Sequence, residues 1–189
     1  MDADFDNEFL PVDTILASTH RTRGVDAFTL TYLRADRQVR KVFTNLVFQS
    51  DAFDHRLSRA LRQTLHDADD LSFKGLDKGI ALLAGKTLAD MVGAEHARLM
   101  KVLWTARGYR NKLFHGQLPD QFVSTNEFIE IERDIREWCR LLATGAQLHT
   151  GYNGFTDSHR KTTRPEIVKR VTAALPDINA YAALLKKLG

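Results

Sequence analysis

The sequence has little cysteine, little proline and no long hydrophobic run. Its single cysteine, Cys139, allows no internal disulfide and no cysteine-based zinc site. No apolar run approaches the roughly 18 residues that a membrane-spanning helix needs. The N-terminus is acidic, the opposite of a signal peptide. These absences predict a cytoplasmic protein with no membrane partner.

The four prolines leave the span from Pro11 to Pro119 without any. Because proline breaks helices, that span can hold long ones. No alternation of apolar and polar residues indicates a strand, whereas apolar residues recur every three or four positions. The pattern predicts an all-α fold, an up-down antiparallel bundle of about five helices with a short helical C-terminal extension. The five are expected at 26–48, 52–66, 72–93 and 94–115 and after Ser124.

Charge divides the chain into three predicted segments. Residues 1–13 hold five acids and no Lys or Arg, whereas the remainder carries all 27 Lys and Arg against 19 of the 24 Asp and Glu. A body of that sign attracts polyanions such as nucleic acid. The segments are an acidic N-terminal arm at 1–24, a helical bundle at 25–150, and a basic loop with a helical extension at 151–189. Short helices are expected at 166–175 and 178–188.

Local signals predict where several helices begin and end. Ser124 and Glu127 have the spacing of a capping box, and Asp69, Asp70 and Ser72 supply capping chemistry for the third helix. Gly116, followed by Pro119, is expected to close the fourth helix.

Familiar catalytic motifs are missing from the sequence. It contains no His-Glu-x-x-His, no phosphate-binding glycine loop and no Gly-x-Ser-x-Gly elbow. Cys139 follows Trp138 on the fifth predicted helix, where a small buried residue is expected rather than a nucleophile. We therefore predict no bound metal and no cofactor.

One stretch at the end of the fourth predicted helix gathers arginine, asparagine and histidine. Arg107, Asn111 and His115 are each four residues from the next, so they share one helical stripe. Asn111 could orient the His115 imidazole through a hydrogen bond. Arg110 points about 140° away from His115 on an ideal helix. A frayed last turn, or a second copy of the helix packed alongside, would bring the two together, which favours a site at a dimer interface.

Such an arginine and histidine suit phosphodiester transfer in RNA. A histidine can take the proton from the ribose 2′-hydroxyl and return one to the leaving 5′-oxygen, while an arginine fork holds the phosphate. The predicted catalytic residues are Arg110, Asn111 and His115. Supporting contacts to substrate are expected from Arg107, Lys112, Arg160 and Lys161.

The run Arg110-Asn111-Lys-Leu-Phe-His115 resembles the HEPN family (higher eukaryotes and prokaryotes nucleotide-binding), whose catalytic members carry Arg-x4–6-His late in a helical bundle. The resemblance covers roughly residues 25–150 as architecture. It implies a homodimer with metal-independent endoribonuclease activity that leaves a 2′,3′-cyclic phosphate, acting as a toxin held by an antitoxin or as an antiphage effector. Gln117 stands where one subgroup has a tyrosine that an antitoxin modifies, so control by that modification is not expected.

A second Arg–His match, Arg59-x6-His66, has Ala60 after its arginine and lies on the second predicted helix, so the 110–115 match is favoured. Two other functions stay open. One is a non-catalytic helical dimer that binds RNA, a nucleotide or a protein partner through the basic loop around Arg160, Lys161 and Arg164. The other is one subunit of a larger defence complex.

Overall fold

A computed structural model of the chain describes residues 3–68, 71–117, 123–156 and 164–189, and every regular element in those ranges is a helix. The all-α prediction is confirmed. The helices are α1 (Ala3–Ala17), α2 (Arg23–Val47), α3 (Ser58–His66), α4 (Phe73–Ala84), α5 (Leu88–Val92), α6 (His96–Phe114), α7 (Thr125–Thr150), α8 (Pro165–Ala174) and α9 (Ile178–Leu188), with 3₁₀ turns at His55–Leu57 and Gly93–Glu95.

The long helices α2 and α7 pack along each other at the centre of the structure. Their contacts advance by seven residues on both helices, so the two run in the same direction with a coiled-coil-like seam. Buried apolar side chains of both helices, with those of α4, make the core. The paired positions of the seam are Gly24 with Thr125, Thr31 with Glu132, and Gln38 with Cys139.

The predicted acidic arm is a helix, α1, that packs on α2. Phe9 and Val12 are fully buried, and Glu8 lies 3.3 Å from the Arg34 guanidinium. Pro11 lies inside this helix. The acids are the most prominent feature of this segment in the sequence, but burial of Phe9 and Val12 stabilises its packing on the core.

The structure has more helices than the predicted five. The stripe expected over 72–93 is broken at Gly85, whose φ of 70° ends α4, and Thr87 then begins α5 with its own capping box. The segment expected at 52–66 becomes a 3₁₀ turn followed by α3. In both places an apolar periodicity continues across a backbone break, so periodicity alone did not reveal it.

Several local predictions are confirmed. Ser124 and Glu127 form the capping box of α7, and Ser72 caps α4 by accepting from the Gly75 N–H. Asp69, Asp70 and Pro119 lie outside the described residues. The two C-terminal helices are α8 and α9, which bury Val171 and Tyr181 in the common core. No helix in the described ranges is long and apolar enough to cross a membrane.

Candidate functional site

Helix α6 ends as the sequence predicts, at a glycine. Gly116 has a φ of 65°, which a residue without a Cβ adopts at no steric cost. The Gln117 N–H donates to the Lys112 carbonyl at 2.8 Å, and the Gly116 N–H donates to the Leu113 carbonyl at 3.1 Å. This Schellman motif leaves His115 as the exposed residue at the helix end.

Arg110 is half-buried just before that end. Its Nη1 donates to Asn111 Oδ1 at 3.0 Å, and its guanidinium lies 4.5 Å from the centre of the Phe114 ring. Its Nε is buried and makes no hydrogen bond to any described residue. A guanidinium carries five N–H donors, and the bond to Asn111 is the one hydrogen bond that this guanidinium makes to a described residue.

Arg110 opens into a cleft of about 350 Å³ between α6, α2 and the start of α4. Arg107 and Asn111 line it from α6, so two of the three predicted stripe residues share one cleft with Arg110. Helix α2 and the α4 start supply the opposite wall. Residues lining that wall are Tyr32, Leu33, Asp36, Arg40, Leu71, Ser72 and Phe73.

The cleft carries net positive charge. Asp36, the one acid among the described residues that line it, accepts from Arg40 Nε at 2.8 Å, and Arg40 Nη2 also donates to the Leu71 carbonyl at 3.2 Å. Arg107 and Arg110 form no ion pair with the described residues. Two guanidinium groups without a carboxylate partner favour an anionic ligand, above all a phosphate.

Tyr32 adds a neutral hydrogen-bonding group to this cleft. Burial, and then the Asp36 carboxylate, raise the pKa of the Tyr32 hydroxyl, while Arg107 and Arg110 oppose the shift. The phenol therefore keeps its proton at neutral pH and can donate to a phosphate oxygen. Sequence reasoning missed Tyr32, Asp36 and Arg40, although their spacing of four residues places them on one stripe of α2.

His115 does not line the cleft. Its ring makes no hydrogen bond to the residues that the structure describes, and its backbone, at φ −90° and ψ 10°, has left ideal helical geometry. The regular angle between successive side chains of an ideal helix therefore does not apply to His115. Asn111, expected to orient the imidazole, accepts from Arg110 instead. Within one chain, the cleft that Arg110 lines therefore does not include His115.

Of the other predicted residues, Lys112 is half-buried and does not line the cleft. Arg160 and Lys161 lie outside the described residues. Cys139 is fully buried, as predicted, and burial raises the pKa of its thiol well above the usual range. A thiol that stays protonated is no nucleophile.

Two aromatic side chains of α6 flank the arginines and remain in solvent. Trp104 is 45% exposed and Phe114 is 57% exposed. The Arg107 guanidinium lies 5.6 Å from the Trp104 ring centre, so each free arginine rests on an exposed aromatic ring. Exposed aromatic and cationic groups of this kind are enriched at binding surfaces.

A larger cavity, of about 590 Å³, lies between α3 and α9. Among the described residues that line it, the charged side chains are Asp67 and Lys186, which have opposite signs, so they do not concentrate one charge as the arginine cleft does. The described residues contain no cluster of three or more His, Cys, Asp or Glu side chains that could hold a metal ion.

Comparison of the chain with protein families, with curated proteins and with solved structures finds no significant match.

Proposed function

We propose that the protein is a dimeric, metal-independent endoribonuclease of the HEPN type, with Arg110 as the phosphate ligand and His115 as the acid and base. The observation that carries the proposal is the arginine cleft near the end of α6, where two guanidinium groups form no ion pair with the described residues, together with an exposed histidine at the end of the same helix. Arg107 and Tyr32 add donors for the same phosphate. Asn111 fixes the Arg110 fork through the bond at 3.0 Å.

The chemistry needs only groups that this chain and RNA supply. A neutral imidazole takes the proton of the ribose 2′-hydroxyl, whose oxygen attacks the adjacent phosphorus. The bond from phosphorus to the 5′-oxygen breaks, and an imidazolium gives that oxygen a proton. The products are a 2′,3′-cyclic phosphate and a 5′-hydroxyl. Arginine stabilises the charge that grows on the phosphoryl oxygens.

A second copy of the chain would resolve the separation of Arg110 from His115. Trp104 and Phe114 lie ten residues apart on α6, about 15 Å along its axis, and both are exposed in the single chain. Packing of two α6 faces would cover these rings and carry one copy's His115 towards the other copy's arginine cleft. In the cell, such an enzyme fits a toxin or an antiphage effector that a partner restrains.

The test is cleavage of RNA by the purified protein in EDTA. We expect His115→Ala or Arg110→Ala to lower the rate by roughly 10²–10⁴-fold, the usual contribution of such groups. His20→Ala, an exposed histidine between α1 and α2, is the matched control and should cleave at the normal rate. An RNA with 2′-deoxyribose at the cleaved position should resist. Cleavage by the Arg110→Ala/His115→Ala double variant, or cleavage of the RNA with 2′-deoxyribose at the cleaved position, would contradict the proposal.

A non-catalytic function is favoured by one specific observation, the position of His115 outside the arginine cleft. In that case the cleft binds a nucleotide or RNA phosphate without turnover. Binding would then survive His115→Ala and fail in Arg107→Gln/Arg110→Gln. Binding by a wild-type protein that cleaves no RNA would replace the first proposal with this one.

A further inference from the structure

A second concentration of positive charge lies on α3 and the turn before it. Residues 55–66 contain three arginines and two histidines but no Asp or Glu. Leu61 is buried, and Leu57 and Leu65 pack partly buried against the same core, so one side of the segment is committed to the fold. The other side carries the charge. We call it the basic groove; its residues are His55, Arg56, Arg59, Arg62, Gln63 and His66, all exposed.

The basic groove has a volume of about 490 Å³, and the described residues that line it are all of polar or charged type. It also brings together Arg59 and His66, the second Arg–His match in the sequence. None of its three arginines forms an ion pair with a described residue. Two acids lie beside the groove: Asp54 accepts from the Arg56 N–H at 2.9 Å, and Asp67 accepts from Gln63 at 2.7 Å and lies 3.4 Å from the His66 imidazole.

This surface differs from three other arginine positions on the helices. Arg98, Arg136 and Arg140 each lie within 3 Å of a carboxylate oxygen. In the basic groove, Arg56, Arg59 and Arg62 instead follow each other at intervals of three residues. Like charges at that spacing repel and weaken a helix. An anion bound across them would remove the repulsion and therefore stabilise α3.

We propose that the basic groove binds the phosphodiester backbone of single-stranded RNA. Guanidinium groups three residues apart rise about 4.5 Å per step along the helix, a ladder suited to a linear polyanion rather than one small ion. Arginine forks match phosphate oxygens. No aliphatic, Phe, Tyr or Trp side chain is among the described residues that line the groove, whereas a protein interface needs an apolar centre. This inference rests on the proposed function only in taking RNA as the polyanion, because the groove and the arginine cleft share no residue.

Anisotropy titration of a fluorescein-labelled single-stranded RNA of about 20 nucleotides tests the proposal. The full chain carrying His115→Ala is the host, so that cleavage does not interfere. In this host, Arg59→Gln/Arg62→Gln should weaken binding by roughly tenfold or more at low salt. It should also reduce the slope of log K against log salt by about 1.4, which corresponds to two lost phosphate contacts. Circular dichroism checks that the variant keeps its helix content.

Arg133→Gln/Lys169→Gln is the matched control, because both side chains are exposed on other helices and the charge change is the same. It should leave the affinity within about twofold and keep the salt slope. Equal weakening in both double variants would mean general electrostatic attraction and would overturn the proposal. So would unchanged binding in Arg59→Gln/Arg62→Gln.

Two further measurements distinguish RNA binding at the basic groove from protein docking there and from the nuclease proposal. Polyglutamate of similar charge should displace the RNA poorly; equal displacement that depends on Arg59 and Arg62 would make the groove a protein-docking surface and overturn the RNA assignment. With His115 restored, Arg59→Gln/Arg62→Gln should lower kcat/KM for long RNA while kcat stays unchanged. If no variant cleaves RNA, the nuclease proposal fails, yet the binding titration still decides the role of the groove.

Discussion

Helices α6 and α7 pack against each other, but they use their side chains differently. On α7 the polar groups serve the fold: Glu132 is buried and accepts from Thr31 at 3.2 Å and from Arg136 at 2.9 Å. At the end of α6, Arg107 and Arg110 form no ion pair with the described residues, and the aromatic rings beside them are exposed. Charge that the fold does not neutralise is available to a ligand. We therefore infer that the side chains of α6 serve ligand binding and those of α7 serve the stability of the fold.

A glycine on each helix gives the largest test of this contrast. Gly145 of α7 is buried, and an added Cβ would overlap the Met91 carbonyl group, whereas a Cβ on Gly108 of α6 meets nothing within 4 Å. We expect Gly145→Ala to destabilise the protein by about 3 kcal/mol, because backbone must move. Gly108→Ala should stabilise it by about 0.5–1 kcal/mol, since alanine favours a helix. Urea unfolding measures both, and a similar change in the two variants would contradict the assignment.

Exposed apolar side chains give the next test. Trp104 on α6 is 45% exposed and Leu148 on α7 is 63% exposed. If α6 is the dimer face, Trp104→Ser should weaken self-association by at least tenfold, a loss of roughly 2 kcal/mol typical of a central aromatic residue. Leu148→Ser is the control and should leave association unchanged. Sedimentation over a range of concentrations measures both, and equal effects would place the interface elsewhere.

The helix starts differ in a smaller, pH-dependent way. Glu127 accepts from the Ser124 N–H in the α7 capping box, and these hydrogen bonds lower the pKa of Glu127. A lowered native pKa stabilises the fold above the unfolded value of about 4.3, and the effect is lost as pH falls through the native pKa. The start of α6 has no side-chain cap bond.

We therefore expect the Tm difference between wild type and Glu127→Gln to be constant from about pH 8 to pH 5 and to shrink below about pH 4. Thermal unfolding followed by circular dichroism measures it. A difference that grows on acidification would have the wrong sign for a capping carboxylate.

Much of the fold could be predicted from the sequence because its signals are local. The capping box at Ser124, the N-cap at Ser72 and the glycine stop at Gly116 each depend on residues within one or two helical turns. The break at Gly85 was missed because the apolar stripe resumes beyond it. Helix α1 was missed because burial of Phe9 depends on α2 and on Phe155, whose ring lies 6.1 Å away.

The candidate site was predicted only on its α6 side. Spacing placed Arg107 and Asn111 on one stripe, and both line the cleft. Tyr32 and Arg40 were missed, since their position opposite α6 follows from packing between helices far apart in sequence. The bond from Arg110 to Asn111 was missed for another reason. A long, flexible arginine side chain can donate to any of several nearby acceptors, and residue spacing does not show which acceptor it uses.

A mixing experiment tests the central claim, that arginine and histidine act across two copies of the chain. Arg110→Ala and His115→Ala proteins should each be nearly inactive by themselves. A mixed dimer that pairs the intact Arg110 of one copy with the intact His115 of the other has one working site. Equimolar mixing should therefore restore about a quarter of wild-type cleavage, because half the dimers are mixed and each has one of two sites. Exchange of subunits without any return of cleavage would contradict the account.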